Sequence, residues 1–347
     1  IYLNNKPVSS KYLYFLTSDY RTPITLDGVR YRGYFMVALK DNGRMMVVNY
    51  IGMEDYLAGV LGGEIIASWP MESIKAQTVA ARTYVLYKIN RMKNQGKLYD
   101  VVNNTGDQMY IGVRGESDKF RKAVEATRGQ VLSRNGVPVC AYYHSNSGGH
   151  TSDSRNVFQK TNAGLKGVED PYCAGAPNST WQKTLTADTI RNRLHSQLNG
   201  ATRIFSIKPH TRDEAGRVVY MEIEHDKGKS MVFGSDFRRL IGYGVIKSTK
   251  FDLYPKDHYY YRYTKKIAAG RHRNPGSSAT ITNDDLEKII VENKKVPSAF
   301  YFSGQGWGHG VGMSQWGARG MAKSGFNYRQ ILEHYYPDTE ISIARAK

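Results

Sequence analysis

The sequence is poor in cysteine and has no apolar run long enough to cross a membrane. Two cysteines among 347 residues exclude a disulfide-rich scaffold. No stretch approaches the roughly 18 consecutive apolar residues that are typical of a transmembrane helix. The chain begins IYLNNKPVSS, without an initiator Met or an apolar leader, so we expect any targeting segment or membrane tether to lie outside it.

Acidic residues are also in short supply. The chain has 31 Asp and Glu against 49 Lys and Arg, which gives a formal net charge of +18. A field of this size attracts polyanions such as nucleic acid, anionic lipid or an acidic polysaccharide. The basic residues are spread along the chain and no nucleic-acid-binding motif is present, so we expect no nucleic-acid partner. No phosphate-binding loop of the GxxxxGK[ST] type occurs, and we expect no cofactor.

The two cysteines, Cys140 and Cys173, allow three interpretations. They could form one disulfide in an oxidising compartment, or remain two buried thiols. Because His144 and His150 follow Cys140 closely, these four residues could also form a structural zinc site. The spacing matches no standard zinc signature, so a metal site is not favoured.

The order of apolar patterns and turns predicts an α+β protein with a cleft between two closely packed lobes. Strand-like runs fill residues 1–50, and helix patterns follow without regular βαβ alternation. A helix is predicted from Ser117 to Thr127, and a hairpin around Asn135-Gly136. Residues 186–250 predict a helix, a strand pair and a further helix that begins near Ser235. We expect a strand-rich segment at 1–45, a core made of 46–255 and 298–347, and a basic surface insertion at 256–297.

Two helices are predicted around a glutamate. The segment MEDYLAGVLGGE predicts a short helix that breaks at Gly62-Gly63 and places Glu64 just after the break. A longer helix is predicted to begin with Ser68 as its N-cap. Within it, Arg82 lies in the alanine-rich run KAQTVAAR, and we expect its side chain to meet a carboxylate, with Glu64 as the candidate.

The stretch GQGWGHGVGMSQWGARG, residues 304–320, contains seven glycines. It follows the strand pattern AFYF and precedes a helix pattern, which predicts a strand-to-helix turn. Glycines there permit positive φ and close approach of a ligand to the backbone. Trp307 would stack on a sugar ring and His309 would orient the sugar or share a proton. A purely structural turn, with His309 bonded to a backbone carbonyl, explains the same pattern.

Several motifs of the chain together resemble one protein family. The glycine-rich stretch, EDYLAGVLGGE, WPMESIKAQTVAARTY, DQMYIG, YYHSNSGGHT, DPYC and SDFRRLIGYGVIKSTKF occur in the family's order between about residues 45 and 340. They are similar to the signatures of the stage II sporulation protein D family of bacterial peptidoglycan lytic transglycosylases. The chain departs from the family at Asn146, where Thr or Cys is usual, and in its basic stretch at 256–297.

The resemblance implies cleavage of the β-1,4 bond between N-acetylmuramic acid and N-acetylglucosamine, with an anhydromuramic product and a preference for glycan without stem peptides (denuded glycan). It assigns the catalytic acid to Glu64. An ordinary glycosidase needs two carboxylates, but here the sugar's own 6-hydroxyl is the nucleophile, so one carboxyl group can act as acid and base. We therefore expect burial to raise the pKa of Glu64.

The resemblance also implies the remaining site. The glycine-rich stretch would form one side of a glycan-binding groove and Glu64 the other, and the basic residues, Arg238 among them, would attract the lactyl carboxylates of denuded glycan. We expect a location outside the cytoplasmic membrane, periplasmic or facing the cell wall, with partners such as an amidase. A zinc-dependent wall hydrolase and a non-catalytic wall-binding scaffold are the alternatives. The expected substrate-binding residues are Lys75, Gln77, Arg82, Gln108, Tyr110, His144, Ser145, Ser147, Trp307, His309 and Gln315.

Overall fold

The computed structural model describes residues 2–93, 95–177, 179–267 and 288–344. The chain forms two compact units, one made of Ile1–Ser179 with Gly306–Lys347 and the other of Thr180–Gln305. Within the second unit Thr180 pairs with Gln305 across neighbouring strands, so this unit begins and ends at one point. These boundaries differ from those expected from composition, because the strand that precedes the glycine-rich stretch belongs to the second unit. The mixture of helices and small sheets confirms the α+β class.

The first unit begins with strands, as predicted. Strands β3, β6 and β7 form an antiparallel sheet in the order β3-β6-β7, and β4 and β5 form a hairpin. The turn of that hairpin has positive φ at both Asp27 and Gly28, which is the backbone that a tight two-residue turn needs. The strands are β1 (Tyr2–Leu3), β2 (Lys6–Pro7), β3 (Tyr12–Phe15), β4 (Ile24–Leu26), β5 (Val29–Tyr31), β6 (Tyr34–Leu39) and β7 (Met45–Tyr50).

Helices and short strands follow. The predicted hairpin is present, with positive φ at Asn135 and Gly136 between its two strands. The helix predicted after Ser117 begins there, because the Ser117 side chain accepts a hydrogen bond from Phe120 N–H. The elements are α1 (Met53–Glu64), α2 (Met71–Met92), α3 (Asp118–Ala126), β8 (Gln130–Arg134), β9 (Val137–Pro138), β10 (Tyr143–His144) and α4 (Ser154–Phe158).

Helix α2 lies at the centre of the first unit. Apart from Lys75, every residue from Ser73 to Val85 is buried, and small alanines let neighbouring elements approach closely. Arg82 is among them, with 1% of its surface exposed, and its guanidinium forms a two-point ion pair with Glu54 of α1. The expected pairing of Arg82 with Glu64 is therefore wrong. The same guanidinium donates to the carbonyls of Thr127 and Gln130.

Two predictions about helix ends are also wrong. Helix α1 does not break at Gly62-Gly63 but continues through both residues and ends with Glu64. Helix α2 begins at Met71, with Pro70 rather than Ser68 at the N-cap position and no side-chain cap. In α1 the glycines serve packing, because a Cβ on Gly62 would lie 2.2 Å from Gly115 O and one on Gly63 would lie 2.1 Å from Met109 O.

The second unit contains two three-stranded sheets, in the orders β11-β16-β15 and β12-β13-β14. Its core is aromatic and aliphatic, centred on Phe237, Phe300 and Phe302. The predicted strand pair and both helices are present, and β14 is an additional strand. The elements are β11 (Thr180–Thr186), α5 (Ala187–Arg193), β12 (Ile204–Arg212), β13 (Val218–His225), β14 (Gly228–Phe233), α6 (Gly234–Ile241), β15 (Phe251–Ile267) and β16 (Lys288–Gln305).

The basic stretch at 256–297 was expected to be a separate surface insertion. Its described parts instead continue the strands β15 and β16, which pair antiparallel from Phe251–Gly304 to Ile267–Lys288. Residues 268–287 lie outside the described residues. The described parts thus belong to the sheet of the second unit.

The chain then returns to the first unit through the predicted strand-to-helix turn. Strand β17 (Met313–Ser314) pairs parallel with β10, and β18 (Glu340–Ile343) pairs antiparallel with β8. Helices α7 (Gln315–Lys323) and α8 (Tyr328–Tyr335) pack on α2. Within the described ranges, no helix is both long enough and apolar enough to span a bilayer.

We predict that Gly62→Ala destabilises the protein. Alanine normally favours a helix over glycine by about 1 kcal/mol, but here the new methyl group would meet the backbone of Gly115. The free energy of unfolding should fall by about 1–3 kcal/mol in denaturant titration. Gly244→Ala is the matched control, because an added Cβ there meets nothing within 4 Å. Equal stability of Gly62→Ala and the wild type would contradict the packing role.

Candidate active site

Glu64 is the last residue of α1, and two groups from distant parts of the chain hold its carboxylate. Met109 N–H donates to Oε1 at 2.8 Å, and the Gln315 side-chain amide donates to Oε2 at 3.1 Å. The Glu64 side chain is partly exposed, whereas Gln315 is buried. The carboxylate is therefore fixed in orientation, in a residue that remains partly exposed.

The loop that carries Met109 is held in place by the neighbouring residue Gln108. Gln108 is fully buried, accepts a hydrogen bond from the Tyr56 hydroxyl and donates to Ala81 O of α2. Gly63 lets this loop lie against the end of α1, since any side chain there would displace Met109. The Met109 N–H thus reaches Glu64 because the backbone of the loop lies so close to the backbone of α1.

Gln315 is placed by the start of α7. Ser314 caps that helix by accepting a hydrogen bond from Gly317 N–H, and it pairs with His144 through the β10–β17 bridge. Gln315 is therefore the first helical residue after a fixed strand. This position orients its amide toward Glu64.

Burial shifts the acidity of Glu64 in the direction expected for a general acid. Burial raises the pKa of its carboxyl group above the usual value, and the hydrogen bonds from Met109 and Gln315 oppose this effect without reversing it. The neighbouring Tyr143 is partly buried and its hydroxyl oxygen is enclosed; burial, and next the charge of Glu64, raise its pKa. A carboxyl group in this setting retains its proton to higher pH than an exposed one.

The glycine-rich stretch has few side chains because its backbone packs closely against another segment of the chain. Four of its glycines, Gly306, Gly308, Gly310 and Gly312, have positive φ. A Cβ would lie 2.7 Å from Asn146 O at Gly306, 2.7 Å from the His144 Cβ at Gly308 and 2.0 Å from Tyr142 O at Gly312. The segment around residues 142–148 therefore needs these glycines beside it.

The two aromatic residues of this stretch have different surroundings. Trp307 is 38% exposed, and its backbone exchanges two 2.9 Å hydrogen bonds with that of Asn146. His309 is partly buried; its Nδ1 accepts from Val311 N–H, and its ring lies 5.4 Å from those of His144 and Phe158. Trp307 thus has an accessible ring, whereas His309 packs within the unit.

The other expected groove residues are mostly enclosed. His144 is buried with Nδ1 3.1 Å from Val311 O, and Tyr110 is buried with its hydroxyl on Asn49. Ser147 is buried and donates to Asp170 at 2.6 Å. Ser145 is partly exposed, and its carbonyl accepts from Trp316 N–H. Of these, Ser145 connects most directly to the helix that carries Gln315.

The basic residues expected to bind glycan are largely engaged within the protein. Arg82 is enclosed by Glu54 as described, and Lys75 forms an ion pair with Glu72 at 2.7 Å. Arg238, in the second unit, is buried; burial lowers the pKa of its guanidinium to about 10. Gln77 is 1% exposed, and neither atom of its amide has a hydrogen-bond partner in the described part of the chain.

The cysteines form neither a disulfide nor a metal site. Cys140 and Cys173 are free, buried thiols, and burial raises the pKa of Cys140 to about 11. Cys173 lies 3.3 Å from Ser147 Oγ, whereas the Nδ1 of His150 lies 2.6 Å from Thr151 O. Among the described residues no three His, Cys, Asp or Glu side chains could hold a metal ion. Of the three interpretations, two buried thiols is the one observed.

Three site features were missed from the sequence. The Met109 N–H cannot be identified by residue type, because it is a backbone group. Trp316 is edge-on to Trp69 with ring centroids 5.0 Å apart, and the guanidinium of Arg319 lies 4.9 Å from the Trp316 ring. The signal for the last feature was spacing, because Arg319 follows Gln315 by four residues and Trp316 by three, which makes it a neighbour of both on a helix.

A family model described as stage II sporulation protein matches residues 41–133, which include α1, α2 and the Met109 loop. An uncharacterized protein of Brachyspira hyodysenteriae is 32% identical over 340 residues, which cover 98% of this chain and 78% of that protein. The stage II sporulation protein D of Bacillus subtilis is 26% identical over 314 residues, or 86% of this chain and 77% of that protein.

A third relative is much longer than this chain. The amidase enhancer of Bacillus subtilis is 30% identical over 310 residues, which cover 82% of this chain. The match spans only 40% of the amidase enhancer's own length.

We predict that Glu64→Gln raises stability at neutral pH and that the gain disappears in acid. Because the folded-state pKa is raised, Glu64 contributes most below the ordinary carboxyl pKa of about 4.3, and this contribution is lost as pH rises through the folded-state value. Glutamine does not titrate and can keep both hydrogen bonds if the Gln315 amide turns over. Thermal unfolding at about pH 4 and about pH 8 measures the difference.

Glu116→Gln is the control with the opposite sign. Burial alone would raise the pKa of Glu116, but Arg32 and Arg121 hold its carboxylate and together lower the pKa below its usual value. Its contribution is present at neutral pH and is lost as pH falls, so this variant should be less stable than the wild type at neutral pH. A Glu64→Gln gain that persists or grows in acid would contradict the raised pKa.

Proposed function

Because the chain belongs to the stage II sporulation protein D family, we propose that it is a peptidoglycan lytic transglycosylase with Glu64 as its acid and base. The observation that carries the proposal is the Glu64 carboxyl group itself. The residue is partly buried, the pKa of its carboxyl group is raised, and the group is oriented by Met109 N–H and the Gln315 amide.

These features suit a two-step use of one carboxyl group. Protonated Glu64 would give its proton to the oxygen that links N-acetylmuramic acid to the next sugar, so that this bond breaks as the leaving sugar departs. The resulting carboxylate would then take the proton of the muramic 6-hydroxyl as that oxygen bonds to C1. The product is the 1,6-anhydro sugar, and Glu64 regains its proton.

A single carboxyl group is consistent with the surroundings of Glu64. No other carboxylate in the described part of the chain contributes to the shift of its pKa. Asp107, the nearest acidic residue in the Met109 loop, is 2.7 Å from Lys88 Nζ and accepts from the Tyr84 hydroxyl and Val102 N–H. Asp107 is therefore occupied as a structural group, which favours transglycosylation over two-carboxylate hydrolysis.

The substrate would be glycan strands of peptidoglycan, with denuded glycan preferred. Removal of a stem peptide exposes one lactyl carboxylate on each muramic residue, and a protein with a net charge of +18 attracts such a polymer. An amidase that removes stem peptides would supply this substrate, in keeping with the relative named amidase enhancer. A substrate in the cell wall would place the protein outside the cytoplasmic membrane.

We predict that the wild type releases anhydro products from denuded glycan and that Glu64→Gln does not. Loss of the proposed general acid should slow the reaction by about 100-fold or more. Mass spectrometry of the soluble products distinguishes the chemistries, since an anhydro end is lighter than a hydrolytic end by one water. Reducing ends of full mass would indicate hydrolysis with a second carboxylate. Binding without any product would favour the scaffold alternative.

We predict that Gln315→Leu moves the alkaline limb of the pH–rate profile to higher pH. The Gln315 amide stabilises the charged form of Glu64, so its loss should raise the pKa of the acid further. The pH dependence of kcat/KM on denuded glycan measures the shift. Gln95→Leu is the control, because that glutamine is exposed and should leave the limb in place. An unchanged alkaline limb in Gln315→Leu would contradict the inference that the Gln315 amide stabilises the charged form of Glu64.

A further inference from the structure

We propose that Arg319 binds the lactyl carboxylate of a muramic residue and thereby selects glycan without stem peptides. This inference rests on the proposed function and assigns its substrate preference to one side chain. Arg319 was not among the residues expected from the sequence to bind glycan.

Arg319 lies beside the groups that hold Glu64. It is four residues after Gln315 on α7, so the two side chains share one side of the helix, about one turn apart. Its guanidinium lies 4.9 Å from the Trp316 ring and 5.8 Å from the Trp69 ring. Trp316 follows the residue that donates to Glu64, and Trp69 lies in the segment that leads from α1 into α2.

Arg319 has no anionic partner in the described part of the chain. Its Nε is buried without an acceptor, and none of the described carboxylates lies within ion-pair distance, although the side chain as a whole is partly exposed. Two other arginines of the first unit have carboxylate partners, Arg82 with Glu54 and Arg121 with Glu116. A buried N–H group without an acceptor is costly, and an anionic ligand that accepts from it would offset that cost.

The chemistry of the guanidinium selects the ligand class. A guanidinium that lies over an indole ring keeps its edge N–H groups available, and their planar fork fits a carboxylate with two parallel hydrogen bonds. The lactyl group of denuded glycan is such a carboxylate. In a strand that carries stem peptides the same group is a neutral amide, which offers a single acceptor and no charge. Arg319 would therefore distinguish the two strands.

Binding tests the inference without turnover. In the full chain with Glu64→Gln, the dissociation constant is measured for denuded glycan and for the same strands after their lactyl carboxylates are coupled to methylamine. We expect about tenfold or greater preference for the free carboxylates. Adding Arg319→Gln should abolish that preference and leave binding to the amidated strands unchanged. Arg319→Lys, which keeps the charge but not the fork, should retain part of the preference.

Arg329→Gln is the matched control. Arg329 lies on the next helix, is exposed, and also has its guanidinium over an aromatic ring, 5.2 Å from that of Tyr328. Arg329→Gln removes one positive charge, as Arg319→Gln does, and should leave the preference for free carboxylates intact. Equal weakening on both strands by Arg319→Gln would mean a structural role and overturn the proposal, as would an undiminished preference or no binding of either strand. If the Glu64→Gln protein prefers free carboxylates but the wild type releases no anhydro products, the lyase reaction is refuted and Arg319 remains the selecting residue.

Discussion

Close backbone contact at the end of α1 is the constraint on which the rest of the site depends. Gly62 and Gly63 let this helix continue to Glu64 while the backbones of Gly115 and Met109 lie against it. A side chain at either position would separate helix and loop, and the Met109 N–H would no longer reach the carboxylate. The helix thus accepts two residues of poor helix propensity, which cost about 1 kcal/mol each, in exchange for a fixed acid.

The glycine-rich stretch also brings two backbones into close contact, at the strand-to-helix turn that precedes α7. Its four glycines with positive φ allow it to run along residues 142–148, and this contact leads into the β10–β17 bridge. Gln315 begins α7 immediately after that bridge, so its amide is placed by backbone pairing rather than by a flexible loop. Glycine at both places serves contact between backbones, and the acid of the first region meets the amide of the second.

The basic side chains near Glu64 differ in whether they are engaged by other groups of the protein. Arg82 is committed to Glu54 and to two carbonyls, and Lys75 is committed to Glu72. Their positions on a helix near Glu64 made them candidates for substrate contact, but the partners that occupy them come from other elements. Arg319 differs because its neighbours are indole rings, which stabilise a cation and leave its hydrogen-bond donors available.

The sequence by itself determined the α+β class, the hairpin at Asn135-Gly136, the helix after Ser117 and the identity of Glu64 as the candidate acid. These features depend on local turn chemistry, on apolar periodicity and on motifs that are contiguous in the chain. Tertiary structure alone decided that α1 continues through Gly62-Gly63, that Arg82 meets Glu54, and that both cysteines stay free. The physical reason is that each of these outcomes depends on which distant backbone or side chain lies opposite, and no local pattern encodes that partner.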